Sequence, residues 1–144
     1  MRSRLTPAPS QIAFPIWAWH KWSRSRVRPD LRASAHVARG VRAVRVEFVT
    51  DAAAVLFSDF DAWHFVLNGW YLPMNTADGE RFDRWLRRRQ VDKLGRVREP
   101  TIQRELERSW ERIFKVTSRT ASIQACLWKL PLTAVTTVTA FTGR

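Results

Sequence analysis

The hydrophobic positions of this chain fall into short blocks, and the repeat within each block separates strands from helices. Residues 14–19 read as a short strand: Trp17 and Trp19 share one face, and Pro15 suits a strand start or a sheet edge. A long connection over 21–45 follows, irregular in its first part, until Gly40 marks a turn. Residues 41–50 then alternate, Val44, Val46 and Phe48 against Arg45 and Glu47, which predicts a second strand. A short apolar stretch at 54–57 leads to Ser58, whose hydroxyl suits a helix cap while Asp61 reaches back toward it. That helix is predicted to run to Tyr71, with Phe60, Trp63, Leu67 and Tyr71 facing the core and Pro73 ending it.

A loop at 74–79 separates this element from a second predicted helix, 80–90, with Phe82, Trp85 and Leu86 on one side and Arg81, Arg84 and Arg88 on the other. Gly95 punctuates the next loop. Pro100 stands in the first turn of a third helix whose Ile102, Leu106, Ser109, Trp110 and Ile113 form one stripe. Two further strands are predicted: 122–130, where Ile123, Ala125 and Leu127 alternate with Gln124, Cys126 and Trp128, and the β-branched stretch 133–142. This order of elements implies an α+β fold, a small and mostly antiparallel sheet packed against two or three helices.

Length supports one core, so residues 14–144 read as a single domain behind a disordered lead-in, 1–13. Eight tryptophans and eight phenylalanines predict an aromatic core, each ring burying roughly 150–250 Å². The lone Cys126 excludes an internal disulfide and a multi-cysteine zinc site, reads as a small buried residue and fits a reducing compartment. Pro7, Pro9 and Ser10 interrupt any secretory apolar region, and no stretch approaches the roughly 18–20 apolar residues of a membrane span. A cytoplasmic location without membrane contact is the resulting expectation.

Charge narrows the partners. Lys plus Arg number 25 against 13 Asp plus Glu, a net charge of +12, which attracts phosphate-bearing partners. The split of 21 Arg to 4 Lys fits equally a GC-rich genome writing Arg codons at the surface. The Arg104, Arg108 and Arg112 row is matched by Glu105, Glu107 and Glu111 at helical spacing, which predicts solvent-exposed pairs. The Arg81, Arg84 and Arg88 face, extended by Arg87 and Arg89, has only Glu80 and Asp83 nearby and stays cationic. With Arg24, Arg26, Arg28 and Arg32 of the long connection, it supplies the candidates for binding nucleic acid or another polyanion. Trp17, Trp19 and Trp22 beside those arginines are the ingredients of base stacking, but at strand spacing Trp17 and Trp19 read rather as core, and only Trp22, beside Lys21, has a polar neighbourhood.

A second set of polar residues suggests chemistry. Asp61, His64 and Asn68, at i, i+3 and i+7, form one row beside an apolar helical face, a carboxylate, an imidazole and an amide suited to proton transfer. The same row reads as ordinary helix capping and a half-buried polar border. Ser58 and Gln124 complete this candidate catalytic set. No metal site or cofactor is expected: His64 has no partner at a ligand spacing, and His20 and His36 sit in other segments. There is no Gly-rich phosphate loop, nucleophile elbow, zinc-protease helix or paired-cysteine motif.

The run from Pro15 through Ile16, Trp17 and Ala18 to Trp19, then Arg28, Pro29, Asp30, Leu31 and Arg32, then the thirteen residues from Leu56 to Asn68, resembles the bacterial domain of unknown function 3841 family. Ser109 to Phe114 and Ile123, Gln124 and Ala125 continue the resemblance. It implies no particular activity, but it marks Arg28, Asp30, Arg32, Ser58, Asp59, His64, Asn68, Glu111, Arg112 and Gln124 as polar residues within the matching motifs. The resemblance implies a further strand and helix before the Trp-rich run, so either the start is misplaced or this chain is a shortened form, and a missing edge strand would leave an uncovered sheet edge that invites a homodimer. Two functions follow as expectations. One is a basic module that binds nucleic acid or another polyanion. The other is a small transferase or hydrolase, weakly ADP-ribosyltransferase-like by the order of its elements, with the Asp, His, Asn and Gln set as its site.

Overall fold

The computed structural model describes residues 7–23, 29–89, 91 and 99–144. In chain order the elements are β1 (Ile16–Lys21), β2 (Arg42–Phe48), β3 (Leu56–Asp59), α1 (Trp63–Leu67), α2 (Thr76–Arg88), α3 (Pro100–Trp110), β4 (Ile123–Leu127) and β5 (Val135–Thr142). Two small antiparallel sheets and three helices give the α+β class expected from the sequence. The described residues form two compact units, one from 1–57 with 119–144 and the other from 58–118.

In the first unit β4 is the middle strand of a three-stranded sheet ordered β1-β4-β3. Flanked on both edges, it buries both of its alternating sets: Ile123, Ala125 and Leu127 on one side, Cys126 on the other, with Trp128 just beyond. Antiparallel pairing sets Trp17 against Cys126 and Trp19 against Gln124, and a register shift between Trp19 and Lys21 makes His20 the extra residue of a bulge. Ile12 and Leu56 pack against the Cys126 and Trp128 cluster.

β2 and β5 pair as a separate antiparallel ribbon, with Val44 opposite Ala140 and Val46 opposite Val138. The alternation expected for β2 is present, and the side it covers is the polar one. Val44, Val46 and Val138 face solvent, whereas Arg45 and Glu47 are half-buried and ion-paired at 2.9 Å. The connection after β1 explains this: Pro29, Leu31 and Arg32 line a cleft of about 500 Å³ with Arg45, Thr139 and Phe141, so the polar side of the ribbon is the one covered. Gly143 locks the connection in place. Its N–H donates to the Val41 carbonyl and its carbonyl accepts from Gly40 N–H, both at 3.0 Å, and any Cβ there would overlap the Ala38 carbonyl oxygen. Gly40 itself turns at a φ of 80°, a left-handed conformation natural to glycine.

In the second unit the helix expected from Ser58 to Tyr71 is much shorter. Ser58 and Asp59 belong to β3, where Ser58 Oγ accepts from Trp63 Nε1 at 3.0 Å and Asp59, rather than Ser58, caps the next turn through Ala62 N–H at 3.1 Å. α1 stops after five residues at a Schellman motif. Gly69, at a φ of 66°, donates to Val66 O, and Trp70 N–H donates to Phe65 O, with the Phe65 and Trp70 rings in edge contact at 6.3 Å. The glycine therefore terminates the element ahead of Pro73. Leu67 is consequently exposed, and Phe60, Trp63 and Tyr71 are only half-buried.

α2 starts earlier than the periodicity predicts, because Asn75 Oδ1 accepts from Asp78 N–H at 2.9 Å and caps it. α3 begins where Pro100 predicted, with Glu99 accepting from Thr101 and Ile102 N–H. Leu86, Ile102 and Leu106 form the core here, ringed by Tyr71, Phe82, Trp85, Val91 and Trp110. The aromatic core predicted from composition is thus an aliphatic one with rings at its margins. Among the tryptophans only Trp128 is buried, and indole N–H groups find partners at the borders, as Trp110 Nε1 does on Trp70 O at 2.7 Å. Among the described residues no helix is long and apolar enough to cross a membrane.

Candidate functional site

Capping α2 with Asn75 places Asp78 in the first helical turn, pointing back over the segment that precedes the helix. Its side chain is 2% exposed. Both carboxylate oxygens accept from Tyr71 OH at 3.2 Å, one accepts from Met74 N–H at 2.9 Å, and Arg81 and Arg112 close the shell as ion pairs. The Met74 hydrogen bond is the largest influence holding this carboxyl below the usual aspartate range; the Tyr71 bond and the two guanidiniums add to it, and burial opposes them. Asp78 is therefore a charged, fully partnered anchor.

The same shell fixes the segment between α1 and α2. Leu72 N–H donates to Ser109 Oγ at 3.0 Å, Leu72 O accepts from Arg112, and Trp70 O accepts from Trp110. Three backbone groups of this segment are thus satisfied by two α3 side chains and one just beyond the helix. The Arg112 guanidinium also lies 5.4 Å from the Tyr71 ring centroid.

Beside this anchor, α2 and α3 border a cleft of about 360 Å³ lined by Tyr71, Arg81, Phe82, Trp85, Arg89, Thr101 and Glu105. Tyr71 and Phe82 stack face to face at 3.9 Å and 7°, Trp85 lies 5.5 Å from Phe82, and the Arg89 guanidinium sits 4.2 Å over the indole. Arg81, Trp85 and Arg89 follow at i, i+4 and i+8, one row along the helix. The division expected for α2, rings on one side and arginines on the other, is thus incomplete: Arg81 and Arg89 share the cleft with the rings.

The polyanion candidates fall out differently. Arg24, Arg26 and Arg28 lie outside the described residues. Arg32 is clasped to Asp30, Nε to Oδ1 at 2.9 Å, and Arg144 reaches the other oxygen at 3.0 Å; the Arg32 hydrogen bonds are the main reason the Asp30 carboxyl falls to about 2. Arg84 has Glu80 at 3.7 Å, and Arg87, Arg88 and Arg89 are exposed around the end of α2. On α3, Arg108 pairs with Glu105 at 3.3 Å as expected, but Arg112, just beyond the helix, turns inward to Asp78 instead of joining an exposed row.

Of the candidate catalytic residues, Ser58, Asp61, His64 and Asn68 lie in the second unit and Gln124 in the first. His64 Nδ1 is 3.2 Å from the Asp61 carbonyl, Asn68 Nδ2 donates back to the His64 carbonyl at 2.7 Å, and both side chains are exposed. Ser58 is buried with its hydroxyl on Trp63. Gln124 is half-buried on β4. Among the described residues no cluster of three or more His, Cys, Asp or Glu side chains is arranged to hold a metal. Cys126 is buried, which raises its thiol pKa.

Asp78 is the central residue that the sequence reading passed over; Tyr71 was read as a core ring, and Arg112 as part of an exposed row and of the family-like motifs. Asn75 followed three positions later by Asp78 was a legible capping pattern. The pairing of Arg112 with Asp78, 34 positions away, left no local signal.

A family model now covers most of this arrangement: the one described as Domain of unknown function (DUF3841) matches residues 1–136 of 144. The chain belongs to the DUF3841 family. The match takes in the whole Asp78 shell and both cleft helices, so these are features of the DUF3841 region, whereas Gly143 and Arg144 fall outside it. No curated protein and no solved structure matches the chain.

Proposed function

We propose that this DUF3841 protein is a basic module that binds nucleic acid through the solvent face of α2. The observation that carries the reading is the density of exposed guanidiniums there. Arg81, Arg84, Arg87, Arg88 and Arg89 fall within nine successive positions and are all exposed, against Asp78, Glu80 and Asp83 on the same helix. The buried Asp78 restrains one arginine at the start of this face without drawing it from the surface, since the Arg81 side chain remains 69% exposed. A pre-positioned guanidinium loses less freedom when it pairs with a phosphate, and phosphate pairing releases counterions from the nucleic acid. The net charge of +12 adds long-range attraction. A cytoplasmic setting belongs to the same proposal, and a lone cysteine suits it.

The test is a titration of labelled generic RNA and single-stranded DNA, followed by anisotropy at about 50 and about 200 mM salt. Each phosphate contact contributes roughly −0.7 to the slope of log K against log salt for single strands, so a face of four or five arginines gives a steep loss of affinity. The pair Arg84→Glu and Arg88→Glu is expected to weaken binding at least about tenfold and to flatten that slope. Absence of detectable binding at the lower salt sinks the reading.

A further inference from the structure

We infer that the cleft between α2 and α3 takes one unstacked nucleobase, which makes the ligand of this face single-stranded. The inference rests on the polyanion reading above and specifies its substrate class. The cleft, about 360 Å³, lies within the size range of small-ligand pockets. Its chemistry is divided in the way a nucleotide is divided.

Aromatic surface lies in the middle of the α2 row and cations at its ends. Tyr71 and Phe82 already cover one another, which leaves Trp85 as the ring whose face takes a planar group. That face holds a planar group already, the Arg89 guanidinium at 4.2 Å. Arg81 and Arg89 are eight positions apart, about 12 Å along the helix, with the indole halfway between. A strand whose base inserts over Trp85 brings the phosphates on either side of that base toward the two arginines. Arg89, which is exposed, turns from the ring to the phosphate as the base replaces it.

The opposite wall explains why a ring is needed. Thr101 and Glu105, one turn apart on α3, line the cleft, and the Glu105 carboxylate, which pairs with the exposed Arg108 at 3.3 Å through one oxygen, adds negative charge there. A carboxylate there repels a compact anion such as inorganic phosphate, but it accepts from the amino groups of a base or the hydroxyls of a sugar. Duplex nucleic acid keeps its base faces stacked inside and offers only backbone and groove edges, so it reaches the arginine face without using the cleft.

The experiment compares a single-stranded oligonucleotide with the duplex of the same length, on the intact protein at one salt concentration. Single-stranded binding is expected to be at least tenfold tighter and to quench the Trp85 fluorescence, a change that Trp85→Phe diminishes. Trp85→Ala is expected to weaken the single strand about tenfold or more while leaving duplex affinity in place. Because Trp85 borders the Leu86, Ile102 and Leu106 core, Arg89→Ala serves as the second variant: it alters an exposed side chain and is expected to weaken the single strand several-fold. Equal affinity for both forms, or full single-stranded affinity in either folded variant, overturns the stacking site and leaves the arginine face standing. Failure of both forms to bind overturns the two proposals together.

Discussion

Asp78 and Asp30 are each gripped by two arginines, and they stand at opposite ends of what such a grip contributes. Asp78 is buried, with Tyr71, a backbone N–H, Arg81 and Arg112 around it. Asp30 is 38% exposed and meets Arg32 and Arg144 at the surface. Both carboxyls are held below their usual range. Only the first removes an ion pair from water, so only there does loss of one partner strand the other. A lowered pKa alone thus does not identify the structural anchor; burial does.

The largest expected effect separates the two directly. Asp78→Ala leaves Arg112 facing an empty acceptor and frees Met74 N–H and Tyr71 OH, and it is expected to destabilise the protein by about 3–5 kcal/mol in chemical denaturation. A loss below about 1 kcal/mol would place Asp78 with Asp30. Next comes Gly143→Ala, whose methyl group overlaps backbone rather than a flexible side chain. It is expected to cost about 1–3 kcal/mol and to loosen hydrogen-exchange protection of Gly40 and Val41, showing that the first unit is clasped by backbone packing where the second is clasped by charge.

Acid sharpens the contrast further. The Asp78 carboxyl titrates lower in the folded protein than in the unfolded chain, so its contribution is complete above the ordinary aspartate value of about 3.9 and is lost as pH falls through the lowered folded value. Asp78→Asn is expected to reduce neutral stability and to flatten the acid limb of a stability-against-pH curve below about pH 4. The smallest effect belongs to Asp30→Asn. Its thermal midpoint at neutral pH is expected to stay close to that of the parent, because solvent screens the Arg32 and Arg144 pairs and Arg144 N–H still donates to the Arg32 carbonyl at 2.9 Å.

How much of this was legible depends on how local each cause is. α3 was readable because its proline and its Ile102, Leu106 and Ser109 stripe lie within a dozen residues. The end of α1 was misplaced because Gly69 competes with a longer hydrophobic repeat, and the Schellman bonds it permits prevail. For β2 the alternation was visible but the covered face was not, since residues 29–32 decide it. At the site, the arginines of α2 were legible as a charged face. Their involvement with rings was not, because Trp85 and Arg89 meet through side-chain conformation rather than through the simple division of a helical wheel.

The outward valines of the β2 and β5 ribbon bear on how this protein behaves in a tube. Val44 and Val138 are more than 60% exposed on a strand pair, a surface prone to adhere to its own kind. Mutual repulsion of copies carrying +12 keeps such surfaces apart in dilute buffer, and electrolyte removes that protection. Brine used to wash away bound polymer therefore also lets the molecules clump, and light scattering alongside each salt step tells release from self-association.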